Sequence, residues 1–256
     1  MRMKLGAFAV LTIAALALSA CGNSKPPVLQ GWVEAELVFV SPDEQGRVES
    51  LKVREGDHVD KGALLFTVDD DLQQADLSVK KAAVTNAQQA YDRAQELLKT
   101  AAGTQKTFED AEAALRQSKA NLVASQTRLA RRVVASPADG TIQQVYYRPG
   151  ETVPAGRPVV ALLPPGNLKI RFFAAEGELP GLKYGDTVTV TCDGCDKGLT
   201  AKVSFIARSA EYTPPVIYSL DERAKLVFLI EARGEHPEKF RVGQPVSVTL
   251  PKAPAS

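Results

Sequence analysis

The chain has 256 residues, 24% charged and 45% hydrophobic, the balance of an ordinary folded protein and not of a disordered or collagen-like one. Thirty-one Lys and Arg against thirty Asp and Glu leave a formal charge of +1, which argues against nucleic acid as a partner, since a phosphate reader carries clustered basic excess. Two histidines (His58, His236) and three cysteines (Cys21, Cys192, Cys195) are too few and too scattered for most metal sites and nucleophile–base pairs.

Residues 1–20 read as an export signal. Arg2 and Lys4 precede an apolar run from Leu5 to Leu18 that is too short to cross a bilayer core of about 30 Å comfortably. The run ends in Leu18-Ser19-Ala20-Cys21, which resembles a bacterial lipobox. That implies cleavage before Cys21 and lipid on the new N-terminus, and at about 0.8 kcal/mol per buried methylene several acyl chains would anchor the protein firmly. A plain signal peptide that happens to end in cysteine is the alternative. Residues 21–30 form a short polar tether, and Gly22 after the cysteine leaves the leaflet undecided, with the inner membrane favoured.

Residues 31–69 and 133–164 are two copies of one small β-unit. An offset of 94 matches Gly46 with Gly140, Val48 with Ile142, Arg54 with Arg148, Gly56 with Gly150, Val59 with Val153 and Gly62 with Gly156. Glycines at these turns are expected to supply positive φ. A unit of about thirty residues cannot bury its own apolar face, so the copies should pack together as a β-sandwich.

Between them, residues 70–132 contain no proline and one glycine, Gly103, amid Ala, Gln, Lys, Glu and Leu. Leu77, Val84, Tyr91 and Leu98 fall seven apart, as do Phe108, Leu115, Leu122 and Leu129 beyond the glycine. Two such stripes predict an antiparallel coiled-coil hairpin whose arms, at 1.5 Å per residue, reach about 45 Å. Asp69, Asp70 and Asp71 sit where the first helix begins, so helix-dipole stabilisation explains them without catalysis. The many alanines make a thin hairpin, easier to explain as an arm that docks onto something.

Residues 165–252 change to short alternating strands at 168–173, 187–190, 201–206, 226–230 and 245–250, the pattern of a small antiparallel β-barrel. In it, Cys192-Asp193-Gly194-Cys195 places a turn signal between two cysteines. The pair reads as a strand-tip disulfide. A redox-active or zinc-binding pair is the alternative, although no second Cys/His pair exists to complete a zinc site. Pro214-Pro215 forces an extended loop, either a partner-facing surface or a rigid connection.

A split lipoyl-like repeat around a helical hairpin, behind a lipobox, resembles the HlyD-family periplasmic adaptors, or membrane fusion proteins, and is closest in look to those serving ABC-type exporters. The segments 46–62 (GRVESLKVREGDHVDKG) and 135–142 (ASPADGTI) resemble the family's half-motifs. The resemblance implies a fold that is mainly β with a long helical hairpin: a lipoyl-like sandwich split by the hairpin, then a β-barrel. It implies a non-catalytic adaptor, exporting an unidentified compound by linking an inner-membrane transporter to a TolC-like outer-membrane channel. Several copies are expected to form a hexamer-like ring. Carrier proteins of related fold bear a lipoyl or biotinyl lysine at the joint between halves; here the hairpin occupies that joint, so neither group is expected and no cofactor beyond the Cys21 lipid.

Channel-binding adaptors share an Arg-x-x-x-Leu-x-x-x-x-x-x-Ser pattern at the hairpin tip, and Arg93, Leu97 and Thr104 stand at those spacings, with threonine for serine. The resemblance makes them channel contacts; otherwise Arg93 is a solvated helix residue and Thr104 an N-cap. Larger adaptors add a membrane-proximal domain from both chain ends, and with only residues 30–39 and a short tail to build it, that domain is expected to be absent or vestigial. A lipoprotein scaffold using the same fold without a pump is the alternative function.

Overall fold

The computed structural model describes residues 28–212 and 226–251, so Cys21, the expected export signal and Pro214-Pro215 lie outside the described residues. The chain divides into two compact units: residues 35–167, and residues up to Glu34 together with Leu168 onward. The first strand, β1 (Val28–Ala35), belongs with the second of these and is taken up below.

In the 35–167 unit the two repeats exchange strands. The first copy supplies β2 (Val38–Val40), β3 (Gly46–Leu51), β4 (His58–Val59) and β5 (Leu64–Val68). The second supplies β6 (Val133–Ala135), β7 (Gly140–Val145), β8 (Thr152–Val153) and β9 (Val160–Leu163). One sheet runs β2-β9-β7-β4 and the other β6-β5-β3-β8, so each sheet takes two strands from each copy. The pairings repeat at the sequence offset: Gly46 opposes Val153 and Val59 opposes Gly140, while the bulge at Val48/Ser50 reappears at Ile142/Gln144. The Val48 N–H donates to the Glu151 carbonyl at 2.8 Å and its counterpart, the Ile142 N–H, to the Asp57 carbonyl at 2.9 Å.

Val48, Leu65, Phe66, Val68, Ile142, Val153, Val159, Val160 and Leu162 are almost fully buried between the sheets. Each contributes about 1.5–3 kcal/mol of apolar burial, and because the strands interlock neither copy retains that core without the other. Gly56, Gly62, Gly150 and Gly156 adopt positive φ, as their turns require. Gly46 and Gly140 do not, and here the expectation of a positive φ is corrected: what they supply is close approach. A Cβ on Gly140 would stand 2.6 Å from the Leu163 carbonyl oxygen across the β7–β9 pair.

Between β5 and β6 stand α1 (Asp71–Lys99) and α2 (Gln105–Ala130). They run antiparallel: Tyr91 meets Phe108 near the turn with ring centroids 5.3 Å apart, and Asp76 near the start of α1 lies close to Ser125 near the end of α2. The residues at seven-residue spacing, Leu77, Val84, Tyr91 and Leu98 on α1 and Phe108, Leu115, Leu122 and Leu129 on α2, are all buried or half-buried while most of their neighbours are exposed. The acidic run works as helix electrostatics and a tie to the sandwich: Asp71 lies in the first turn, and Asp69 holds Arg47 at 2.8 Å.

The remaining unit is a barrel. Its strands are β1, β10 (Leu168–Ala175), β11 (Thr187–Thr191), β12 (Leu199–Ile206), β13 (Glu211–Tyr212), β14 (Leu226–Gly234) and β15 (Pro245–Thr249). They follow the order β10-β1-β15-β11-β12-β14, closed by β10–β14 pairing into six strands, with β13 extending beside β14. Alternation places Val33, Ile170, Phe172, Val188, Val190, Ala201, Ile230 and Val248 inside. The sequence-based boundaries change at the front of the chain: Val28–Trp32 pair with Pro245–Thr249, so residues assigned to a tether and to the start of the sandwich form a barrel strand. Gly31 allows that strand in, since a Cβ there would overlap the Arg171 carbonyl oxygen. Between β10 and β11 lies a 3-10 turn, Glu176–Gly181.

Candidate functional site: the tip of the hairpin

The tip is a five-residue turn whose geometry follows from where α1 stops. The Leu97 carbonyl accepts from both the Ala102 and Gly103 N–H groups at 2.9 Å, and the Ala101 N–H donates to Leu98 at 3.1 Å. This wraps the last turn around a left-handed residue, and that residue is Ala101, at φ 57°. Gly103 carries the close approach instead: a Cβ there would lie 3.0 Å from Leu97 Cβ. The glycine that marks the tip in the sequence is therefore a packing glycine, and no sequence signal singles out Ala101.

Arg93 and Leu97 stand four residues apart on α1, on one face of the last two turns, with Arg93 exposed and Leu97 48% exposed. Among the described residues no hydrogen bond or ion pair occupies the Arg93 guanidinium. The face thus offers a free planar cation beside an apolar knob, a pairing that suits carboxylate or carbonyl acceptors flanked by an apolar socket. Thr104 differs in kind. Its hydroxyl accepts from the Thr107 N–H at 3.1 Å and lies 2.8 Å from the Thr107 hydroxyl, so it caps α2. Thr104 holds the tip's shape while Arg93 and Leu97 face outward.

Elsewhere, Cys192 and Cys195 are joined in a disulfide across the β11–β12 turn, with Cα atoms 5.3 Å apart and Gly194 at φ 76°. Both sulfurs pack against the barrel core, and Gln244 donates its amide N–H to Cys195 Sγ at 3.2 Å. Among the described residues no group of three or more His, Cys, Asp or Glu side chains converges as a metal site requires. Nor is any helix among them long and apolar enough to cross a membrane.

Residues 36–163, half of the chain, match the family profile described as RND MFP, barrel-sandwich hybrid domain. Among curated proteins, the chain is 24% identical to a UPF0194 membrane protein encoded in the asrC 5′ region of Acidithiobacillus ferridurans, over 89% of this chain and 87% of the relative. Among solved structures, the membrane fusion protein Spr0693 from Streptococcus pneumoniae R6 shares the fold with a TM-score of 0.71 at 20% identity, covering 90% of this chain and 100% of that one. A MacA–MexA chimera carrying the Pseudomonas aeruginosa MexA α-hairpin domain gives 0.71 at 23% identity, over 89% of this chain and 81% of that one. The strand-exchanged sandwich, the barrel and the matched profile lead to one conclusion: the chain belongs to the membrane fusion protein family, the periplasmic adaptors.

Proposed function

We propose that this protein is a lipid-anchored, non-catalytic adaptor subunit of a tripartite efflux or secretion pump, linking an inner-membrane ABC-type transporter to a TolC-like outer-membrane channel. The observation that carries the reading is the tip: Arg93 and Leu97, one turn apart and outward-facing, stand near the far end of α1, a helix about 43 Å long. On this reading the helices form a coiled-coil hairpin, Arg93 and Leu97 dock at the channel entrance, and Thr104 keeps the turn in shape. The barrel and the Pro214-Pro215 loop face the transporter, Cys21 holds the protein at the inner membrane, and several copies ring the conduit, because one thin hairpin cannot enclose a channel. No cofactor takes part.

The test is accumulation of exported dyes or drugs in a strain that lacks this gene and retains its transporter. Wild-type protein restores export, whereas Arg93→Glu with Leu97→Asp does not, although the variant reaches the membrane in normal amount. Export that is unchanged by the deletion contradicts the adaptor role.

A further inference from the structure

Both legs of the hairpin meet one loop of the sandwich, Pro42–Gly46, and Arg132 lies at the meeting point. It directly precedes β6, and its backbone ties the legs together, because its carbonyl accepts from the Val68 N–H at 2.9 Å and its N–H donates to Leu129 at 3.0 Å. Its side chain is among the few charged or polar ones that are buried, at 7% exposure. Nη1 donates to the Gln45 carbonyl at 3.1 Å and Nη2 to Glu44 Oε2 at 3.0 Å. Gln73, in the first turns of α1, sets its side-chain amide against the same guanidinium; with the amide oxygen assigned to that side, as the surrounding donors require, it accepts from Nη2 and, at 3.1 Å, from Nε. One rigid fork therefore joins the start of α1, the end of α2 and the loop, an arrangement that a point charge on a flexible stem would not reproduce.

Two further features single out this contact. Gly46 makes room for it, since a Cβ there would stand 2.7 Å from Nη1 and overlap Val68. The repeat also shows the contact to be specific to the hairpin side: positions 43 and 44 are Asp and Glu, but their counterparts in the second copy, 137 and 138, are Pro and Ala. Both acids are engaged, Asp43 with Arg131 at 3.1 Å and Glu44 with Arg128 at 4.0 Å as well as with Arg132.

We propose that Arg132 is a positioning residue that fixes the direction of the hairpin relative to the sandwich and so aims Arg93 and Leu97. The lever is long: with arms of about 43 Å, a swing of about 10° at the root carries the tip about 7 Å. The clamp is a property of this chain alone; only its consequence for export rests on the adaptor reading.

The experiment is a pulsed electron–electron distance measurement between spin labels at Glu96→Cys on the hairpin and Lys61→Cys on the sandwich, in the mature chain with Cys21→Ser. The unsubstituted root gives one narrow distribution. Arg132→Gln widens it by several ångströms with the sandwich still folded, and Arg132→Lys, which keeps the charge but not the fork, falls between. Should Arg132→Gln fail to fold, Glu44→Ala, at an exposed loop position that leaves Arg132 in place, widens the distribution on its own. A folded Arg132→Gln or Glu44→Ala protein with an unchanged distribution overturns the proposal. No partner is needed for this measurement, so its failure is distinct from failure of the adaptor reading, which shows as absent tip crosslinks while the hairpin stays rigid.

Discussion

Leu162→Ala tests the interlocked sandwich. Leu162 is fully buried in β9, a strand flanked on one side by first-copy β2 and on the other by second-copy β7, and it opposes both Val38 and Ile142. Truncation removes contacts to both copies and leaves a cavity that the surrounding strands cannot close, because a tight approach of Gly140 already lies beneath it. Leucine-to-alanine changes in such positions cost about 3–5 kcal/mol. With an unfolding entropy of roughly 2.1 cal/mol/K per residue, a unit spanning residues 35–167 loses about 10 °C in Tm for each 3 kcal/mol. Thermal unfolding followed by circular dichroism checks this, with Leu72→Ala at an 81% exposed position as the control, expected to change stability by no more than about 0.5 kcal/mol. A Leu162→Ala protein within about 1 kcal/mol of the parent would refute the strand exchange as the source of the core.

Replacing residues 71–130 by a short Gly-Ser linker should leave the sandwich folded, because Val68 and Arg132 already bond across the root; a melt showing loss of the β-unit as well as the helices contradicts this. Ala101→Gly should stabilise the hairpin by about 1 kcal/mol, since it relieves a left-handed alanine, and a lower melting point for the helices would show the turn to be assigned wrongly. The nearby Ser125 hydroxyl, with Lys80 and Arg128 also close, holds the Asp76 carboxyl below its usual range. Its stabilising effect is therefore present above the unfolded carboxylate value of about 4 and is lost as pH falls through the lower folded value, so the helicity difference between the parent and Asp76→Asn should vanish in acid. A difference that persists in acid would remove the ionised carboxylate as its cause. Reducing the Cys192–Cys195 bond, which closes a loop of only three residues' separation, should destabilise the barrel by about 2 kcal/mol. Matching melts with and without reductant would remove that contribution.

The sequence exposed the repeat because its turn glycines and paired valines recur at one offset, and it exposed the two helices because half-buried residues recur every seven positions. The barrel strands after residue 168 were legible for the same reason, as alternation survives in them. Strand exchange was not, because periodicity shows which face of a strand is buried and not which copy it pairs with. β1 was misread since its alternation, Leu29, Gly31 and Val33, is interrupted by the glycine that lets it pack against β10. At the tip the spacing of Arg93, Leu97 and Thr104 was visible, but the division of labour among them depends on Ala101 and on a hydroxyl-to-backbone bond that no pattern encodes. Arg132 was hidden in a run of basic residues, and only the buried position of its fork separates it from Arg131.

The adaptor reading is tested most directly by photocrosslinking in intact membranes, with a photoreactive residue at Leu97 on the hairpin tip and another at Val216, directly after Pro214-Pro215 in the sequence. The account predicts Leu97 adducts to an outer-membrane channel and Val216 adducts to an inner-membrane transporter. The absence of adducts from both positions, in protein that is folded and membrane-bound, would contradict it.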